Sequence, residues 1–174
     1  MPNSRPPLLL ASSGTAALLR VTGKPSLDVS NHLRGVTERL LSSGHQQFTV
    51  DLKDCPSVDS TFIGVLLFVT KAARRAAPET GRVCLLNAGE LVRRQIDTLG
   101  VLDRFDLAEA DAAGVRFEAL PVSAASKAEN TRVCLEAHRA LIEACAANAA
   151  KFHDVIQFLE ADLQGPPSTA PTPP

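Results

Sequence analysis

The residues of this chain best placed to do chemistry are Asp59, Ser60 and Thr61, an acid followed by two hydroxyls. They stand between an extended apolar segment, Phe48-Thr49-Val50-Asp51-Leu52, closed by Cys55-Pro56, and the apolar run from Phe62 to Val69. Asp59 or Ser60 is a natural helix N-cap there, because its side-chain oxygen can accept from unsatisfied N–H groups of the first turn. A hydroxyl so placed lies at the positive end of a helix dipole, where a phosphate is well tolerated. Other chemistries find less support. No two of the four histidines, His32, His45, His138 and His153, lie one helical turn apart, so their spacing predicts no metal site. Cys55 has no histidine in the adjoining strand and turn. Gly14, Gly23 and Gly64 do not form a phosphate-cradling loop. The chain reads as non-catalytic, with no metal and no cofactor.

A formal net charge of −1 over 174 residues leaves no electrostatic footprint for nucleic acid and no polybasic patch for a membrane surface. Aromatic residues make up 4%, without Trp or Tyr, which argues against base-stacking surfaces. The longest apolar run ends at Lys71, Arg74 and Arg75, short of the roughly 18 residues a membrane span needs. Leu8-Leu9-Leu10 is too short for the core of a signal peptide. Cys55, Cys84, Cys134 and Cys145 are widely spaced and three have apolar neighbours, the pattern of small core residues in a reducing compartment. A cytoplasmic protein is the expectation.

The elements that must position Ser60 follow from periodicity. Leu8 to Ala11 and Ala17 to Val21, separated by Ser12-Ser13-Gly14, read as a hairpin. Ser26 can cap a helix whose face is Val29, Leu33, Val36 and Leu40, with Asp28 favourable in its first turn. The strand Phe48 to Leu52 precedes a helix from about Ser60 to Ala77 that is apolar nearly all round. A strand over Arg82 to Asn87 follows, then a helix from Gly89 to Leu99 with Leu91, Val92, Ile96 and Leu99 inward, and an edge strand after Phe105. Such alternation after a hairpin predicts right-handed crossovers and an α/β fold: a mixed, largely parallel sheet with helices beside it.

From about Ser126 the chain loses Pro and Gly and becomes rich in Ala, Glu, Leu and Lys. Leu141, Ile142, Cys145, Ala149, Phe152, Val155, Ile156, Leu159 and Leu163 recur at helical spacing. One unbroken helix would be on the order of 55 Å long, so a break is expected, with Asn148 the best candidate. The expected organisation is a domain over residues 8–120, a helical extension over 123–163 and a disordered Pro-rich tail over 164–174. The apolar stripe of the extension must be covered, by the domain or by a second copy in a homodimer.

The order of elements and the stretch Val58-Asp59-Ser60-Thr61-Phe62-Ile63-Gly64 together resemble the STAS domain of bacterial anti-sigma factor antagonists. Leu19-Arg20-Val21-Thr22-Gly23, Val83 to Asn87, and Val92-Arg93-Arg94 with Leu99-Gly100-Val101 are similar to further blocks of that family. The resemblance implies a binding module whose Ser60 (second choice Thr61) is phosphorylated by a partner serine kinase that doubles as an anti-sigma factor. The unmodified form would bind the kinase and free a sigma factor. Asp59, Ser60, Thr61, Phe62, Ser26 and Asp28 would form the partner face. Ser26 stands where the family commonly has Asp, and Phe62 where it has a small Gly. Those two positions favour an alternative, a STAS scaffold that has lost the switch and acts through its C-terminal helices. A small-ligand or nucleotide sensor is a third reading.

Overall fold

A computed structural model describes residues 6–165 of the chain; the Pro-rich tail expected from the sequence lies, after Gly165, outside the described residues. Six strands form one mixed sheet: β1 (Leu8–Ser13), β2 (Ala16–Val21), β3 (Gln47–Asp51), β4 (Arg82–Leu86), β5 (Asp106–Ala108) and β6 (Glu118–Ala119). Their order is β5-β4-β3-β2-β1-β6. The hairpin β1–β2 is antiparallel, with Leu8 opposite Val21 and Ser13 opposite Ala16, and Gly14 supplies the positive φ its turn requires. β2, β3, β4 and β5 run parallel, and β6 closes the far edge antiparallel to β1. Alternation decides which face is buried: Ala17, Leu19 and Val21 of β2 point inward, as do Phe48 and Val50 of β3 and Val83 and Leu85 of β4.

Five helices complete the fold: α1 (Leu27–Ser42), α2 (Ser60–Ala76), α3 (Glu90–Thr98), α4 (Lys127–Ala144) and α5 (Asn148–Gln164). Helix α1 starts where Ser26 Oγ accepts from Val29 N. Helix α3 buries Val92 and Ile96 as expected, but Leu91 is 54% exposed. The stripe is set by Val92 and Ile96, and Leu91, one residue earlier, is turned about 100° away from it. Gly100 ends this helix with φ +65°, the left-handed conformation a glycine takes without strain.

Helix α2 is the central element. Thr61, Phe62, Ile63, Gly64, Val65, Leu66, Leu67, Val69, Thr70 and Ala73 are all buried, so no side of it is left to water except near its C-terminal end. The sheet and α1 cover part of this surface, and α4 covers the rest. The approach is close because Gly64 has no side chain: a Cβ there would lie 2.3 Å from the carbonyl oxygen of Ala137. Val133, Ala137 and Leu141 of α4 thereby join the main core.

The chain breaks after Ala144, and α5 folds back on α4. Asn148 marks the break as expected, though as the first helical residue rather than a cap, since Ala147 holds the cap position. The Asn148 side chain is fully buried and its Nδ2 donates to Leu99 O (2.8 Å) and Leu141 O (3.0 Å), tying the corner to α3 and α4. Only part of the expected stripe faces inward on α5. Phe152, Ile156, Leu159 and Leu163 are at least partly covered, whereas Ala149 and Val155 are exposed; Phe158, outside that stripe, is 70% exposed. Helix α5 has α4 as its principal neighbour, so one narrow stripe suffices. It continues through Gln164, a position the sequence reading assigns to the tail.

The Gly64–Ala137 approach makes a direct test of this packing. Gly64→Ala places a methyl group inside the space of a backbone carbonyl and should cost about 1–3 kcal/mol in chemical denaturation, as overpacking does. Unchanged stability would mean that α4 does not rest on α2 at this point.

Candidate functional site

Sequence chemistry placed Asp59, Ser60 and Thr61 between β3 and α2, and the structure gives each a separate task. Asp59, not Ser60, is the N-cap: its backbone is extended and its Oδ1 accepts from Phe62 N at 2.8 Å. Ser60 is therefore the first residue of the helix, with its hydroxyl free to leave the turn. That hydroxyl meets His138 of α4, with Oγ 3.0 Å from Nε2. Thr61 Oγ1 lies 3.4 Å from Sγ of Cys134, also on α4. The two hydroxyls thus face the C-terminal extension, one turn of α4 apart.

His138 is 4% exposed, with the Phe152 ring of α5 packed edge-on against it at 4.7 Å between centroids. Its Nδ1 is 2.7 Å from the carbonyl oxygen of Cys134 and 3.6 Å from Cys134 Sγ. A carbonyl only accepts, so Nδ1 carries the hydrogen; in the neutral ring Nε2 then accepts from the Ser60 hydroxyl. Burial pushes the His138 pKa down, but the hydrogen bonds to the Cys134 thiol and carbonyl, with the charges of Cys134 and Asp59, outweigh it and leave the pKa raised. For Cys134, burial pushes the thiol up while its hydrogen bonds with His138 and Thr61 bring it net below the ordinary value. Cys55 differs: burial drives its thiol up to about 11, outweighing a weaker lowering effect from the Ser57 backbone, so it is an inert core thiol.

The remaining residues expected on a partner face separate into three groups. Ser26 is exposed and committed to capping α1 through Val29 N at 3.3 Å. Asp28 reaches α4 rather than Ser60: its Oδ1 accepts from Asn130 Nδ2 (3.0 Å) and Ala125 N (3.2 Å), and these bonds hold its carboxyl below the usual range. Phe62 is a correction. It is fully buried in the core, because one residue beyond Thr61 the helix has turned toward the sheet, so it offers no surface to a partner. Asn31 Nδ2 donates to Asn130 Oδ1, Arg34 pairs with Glu136, and Lys71 pairs with Glu143 at 2.6 Å, extending the α4 contact along α1 and α2.

His138 and Cys134 are the members of this cluster that sequence reasoning missed. A signal existed: the two lie four apart, on one face of a helix expected from composition. Spacing between histidines alone does not reveal it, since the partner of His138 is a cysteine. Among the described residues no group of three His, Cys, Asp or Glu side chains could hold a metal ion, and no helix is long and apolar enough to cross a membrane.

The raised pKa of His138 fixes the sign of a pH effect. A histidine whose pKa is higher folded than unfolded adds stability that is fully present below its unfolded value, about 6.5, and lost as pH rises through the folded value. His138→Gln should therefore cost more stability at about pH 5.5 than at about pH 8.5, measured by thermal unfolding at both. An equal cost at both would show that the imidazole does not gain a proton-dependent contact in the fold.

No curated protein matches the chain in sequence. Among solved structures, the unphosphorylated form of the anti-sigma factor antagonist SpoIIAA shares the fold with a TM-score of 0.53 and 18% identity, over 60% of this chain and 89% of that one. The solution structure of TM1081, from Thermotoga maritima, gives a TM-score of 0.52 at 17% identity, over 58% of this chain and 79% of that one. Both likenesses concern the fold. The family model described as "Mlab, STAS domain" matches residues 8–109, more than half of the chain and the whole parallel part of the sheet, so this chain belongs to the STAS domain family.

Proposed function

We propose that this chain is a regulatory binding module of the anti-sigma factor antagonist type, switched by phosphorylation of Ser60, with its own helix α4 lying over the switch residue. The observation that carries this reading is the 3.0 Å contact between Ser60 Oγ and His138 Nε2. A phosphoryl group on Ser60 does not fit into that gap. It adds about −1.5 to −2 charges beside Asp59, and even a protonated His138 would neutralise only part of it. Phosphorylation and the docked α4 thus exclude one another. In this reading a serine kinase that also acts as an anti-sigma factor engages the face around Asp59, Ser60 and Asp28 in the cytoplasm when α4 has moved aside. The modified form keeps its core intact while its recognition face changes.

The Ser60–His138 pair has the composition of a nucleophile and its base, but its setting argues for a non-catalytic role. His138 is enclosed between α2 and α5 and is 4% exposed. A second reading is favoured by the same cover. If α4 never leaves, the chain is a STAS scaffold that works through its C-terminal helices, where Phe158 stands exposed on α5 as a surface for self-association or for another protein.

Ser60, rather than Thr61, is the expected site of modification. Thr61 is buried and one step further inside the helix. Incubation with the serine kinase partner and ATP, followed by mass mapping of the peptide spanning Asp59 to Lys71, should place one phosphate on Ser60. Ser60→Ala should take up none and bind the kinase constitutively, and Ser60→Asp should bind it weakly. Phosphate on Thr61, or none with a kinase that binds, would reject the switch in favour of the scaffold.

A further inference from the structure

Arg74 and Arg75, which follow the apolar run of α2, border a groove where the C-terminal half of α2 meets the C-terminal end of α4. Its volume is about 360 Å³, within the range of small-ligand sites. Leu67, Ala140 and Ala144 line it with apolar surface, while Lys71, Arg74, Arg75 and Arg104 bring four cations from two separate segments of the chain. Glu143 is the one acid among the lining residues, and Lys71 Nζ already donates to both of its oxygens, at 2.6 and 2.7 Å. Arg104 Nη2 donates to Ala144 O at 3.0 Å, which fixes its guanidinium at the groove edge.

Basic residues in the last turn of a helix are favoured by the dipole, and that alone accounts for the presence of Arg74 and Arg75. It accounts neither for Arg104 arriving from the 3-10 turn Leu102–Arg104 nor for the apolar lining between them. Excess positive charge around an apolar hollow is complementary to a molecule with an anionic head and an apolar body. We propose that the groove between α2 and α4 is a binding site for a small amphiphilic anion, an aromatic or short-chain sulfonate, carboxylate or phosphate. Arginine is suited to such heads because its planar fork can give two parallel hydrogen bonds to one oxyanion. The size of the hollow sets the class: it takes one ring system or a short chain, and not a folded partner.

The test uses the full chain and the dye 8-anilinonaphthalene-1-sulfonate, with the uncharged N-phenyl-1-naphthylamine as the comparison probe. The sulfonate should bind saturably with enhanced fluorescence, weaken on adding salt, and bind more tightly than the neutral probe. Arg74→Glu and Arg104→Ala, separately, should each raise its Kd at least about fivefold. Ala140→Phe, which fills the hollow, should remove the site, while Phe158→Ser on α5 should leave it unchanged. Equal affinity for the two probes overturns the proposal, as does insensitivity to both arginine substitutions. Loss of the signal in Phe158→Ser overturns it too, since the dye would then be reporting the exposed apolar ring. Circular dichroism of each variant confirms that the fold is kept, and the two arginine variants give independent readings.

Discussion

Helix α2 carries apolar or small residues on nearly every side, and a helix of that kind has to be covered on every side. The sheet and α1 supply one cover, and Phe62, Ile63 and Leu66 are the largest fully buried side chains of the helix. The second cover must come from elsewhere, and α4 supplies it, approaching closely enough that Gly64 cannot carry a methyl group. Burying even one additional Leu-sized side chain is worth about 1.5–3 kcal/mol, so the apolar stripe Val133, Ala137 and Leu141 gives α4 a substantial driving force to dock. The polar contacts from Asp28, Asn31, Arg34, Ser60 and Lys71 then fix where along α2 it sits. Surface ion pairs such as Lys71–Glu143 add little energy; their value is in setting register.

That geometry joins stability to function. The N-terminus of α2 is where the STAS signature Asp59-Ser60-Thr61 lies, and Ser60, Thr61 and Asp28, three residues of the proposed partner face, also hold α4. Ser60 is only partly covered under docked α4, so in the proposed switch α4 must move to free the whole side chain. His138 sits at the junction: its Nδ1 is fixed by its own helix through the Cys134 carbonyl, and its Nε2 meets the Ser60 hydroxyl at 3.0 Å. Phe152 covers it from α5, so the two C-terminal helices act on the site together.

Much of this was legible in the sequence, for identifiable reasons. The order of strands and helices after the opening hairpin and the 3.6-residue period of α1 are strong local signals, and the structure follows them closely. The family blocks around Asp59 and Gly100 carry the STAS resemblance, which the family match over residues 8–109 bears out. Three features were not legible. Whether Asp59 or Ser60 caps α2 depends on a single backbone conformation that both residues can adopt. Phe62 was expected on the partner face because it stands where the family has a small Gly, although on a helix that begins at Ser60 its side chain is buried in the core. The docking of α4 on Ser60 is a contact between residues 78 apart in the chain, and no local pattern encodes such a pairing. The all-round apolar character of α2 nevertheless stated that some cover was needed.

The central claim is that the side chain of Ser60 governs whether α4 stays docked. Backbone hydrogen exchange, followed by mass spectrometry on the full chain and on Ser60→Asp, tests it most directly. The account predicts slow exchange across residues 127–144 of the unmodified chain. In Ser60→Asp, exchange there and in 148–164 should be at least about tenfold faster, with β3 and β4 unchanged. Rapid exchange of α4 in the unmodified chain, or protection unaltered by Ser60→Asp, would contradict it.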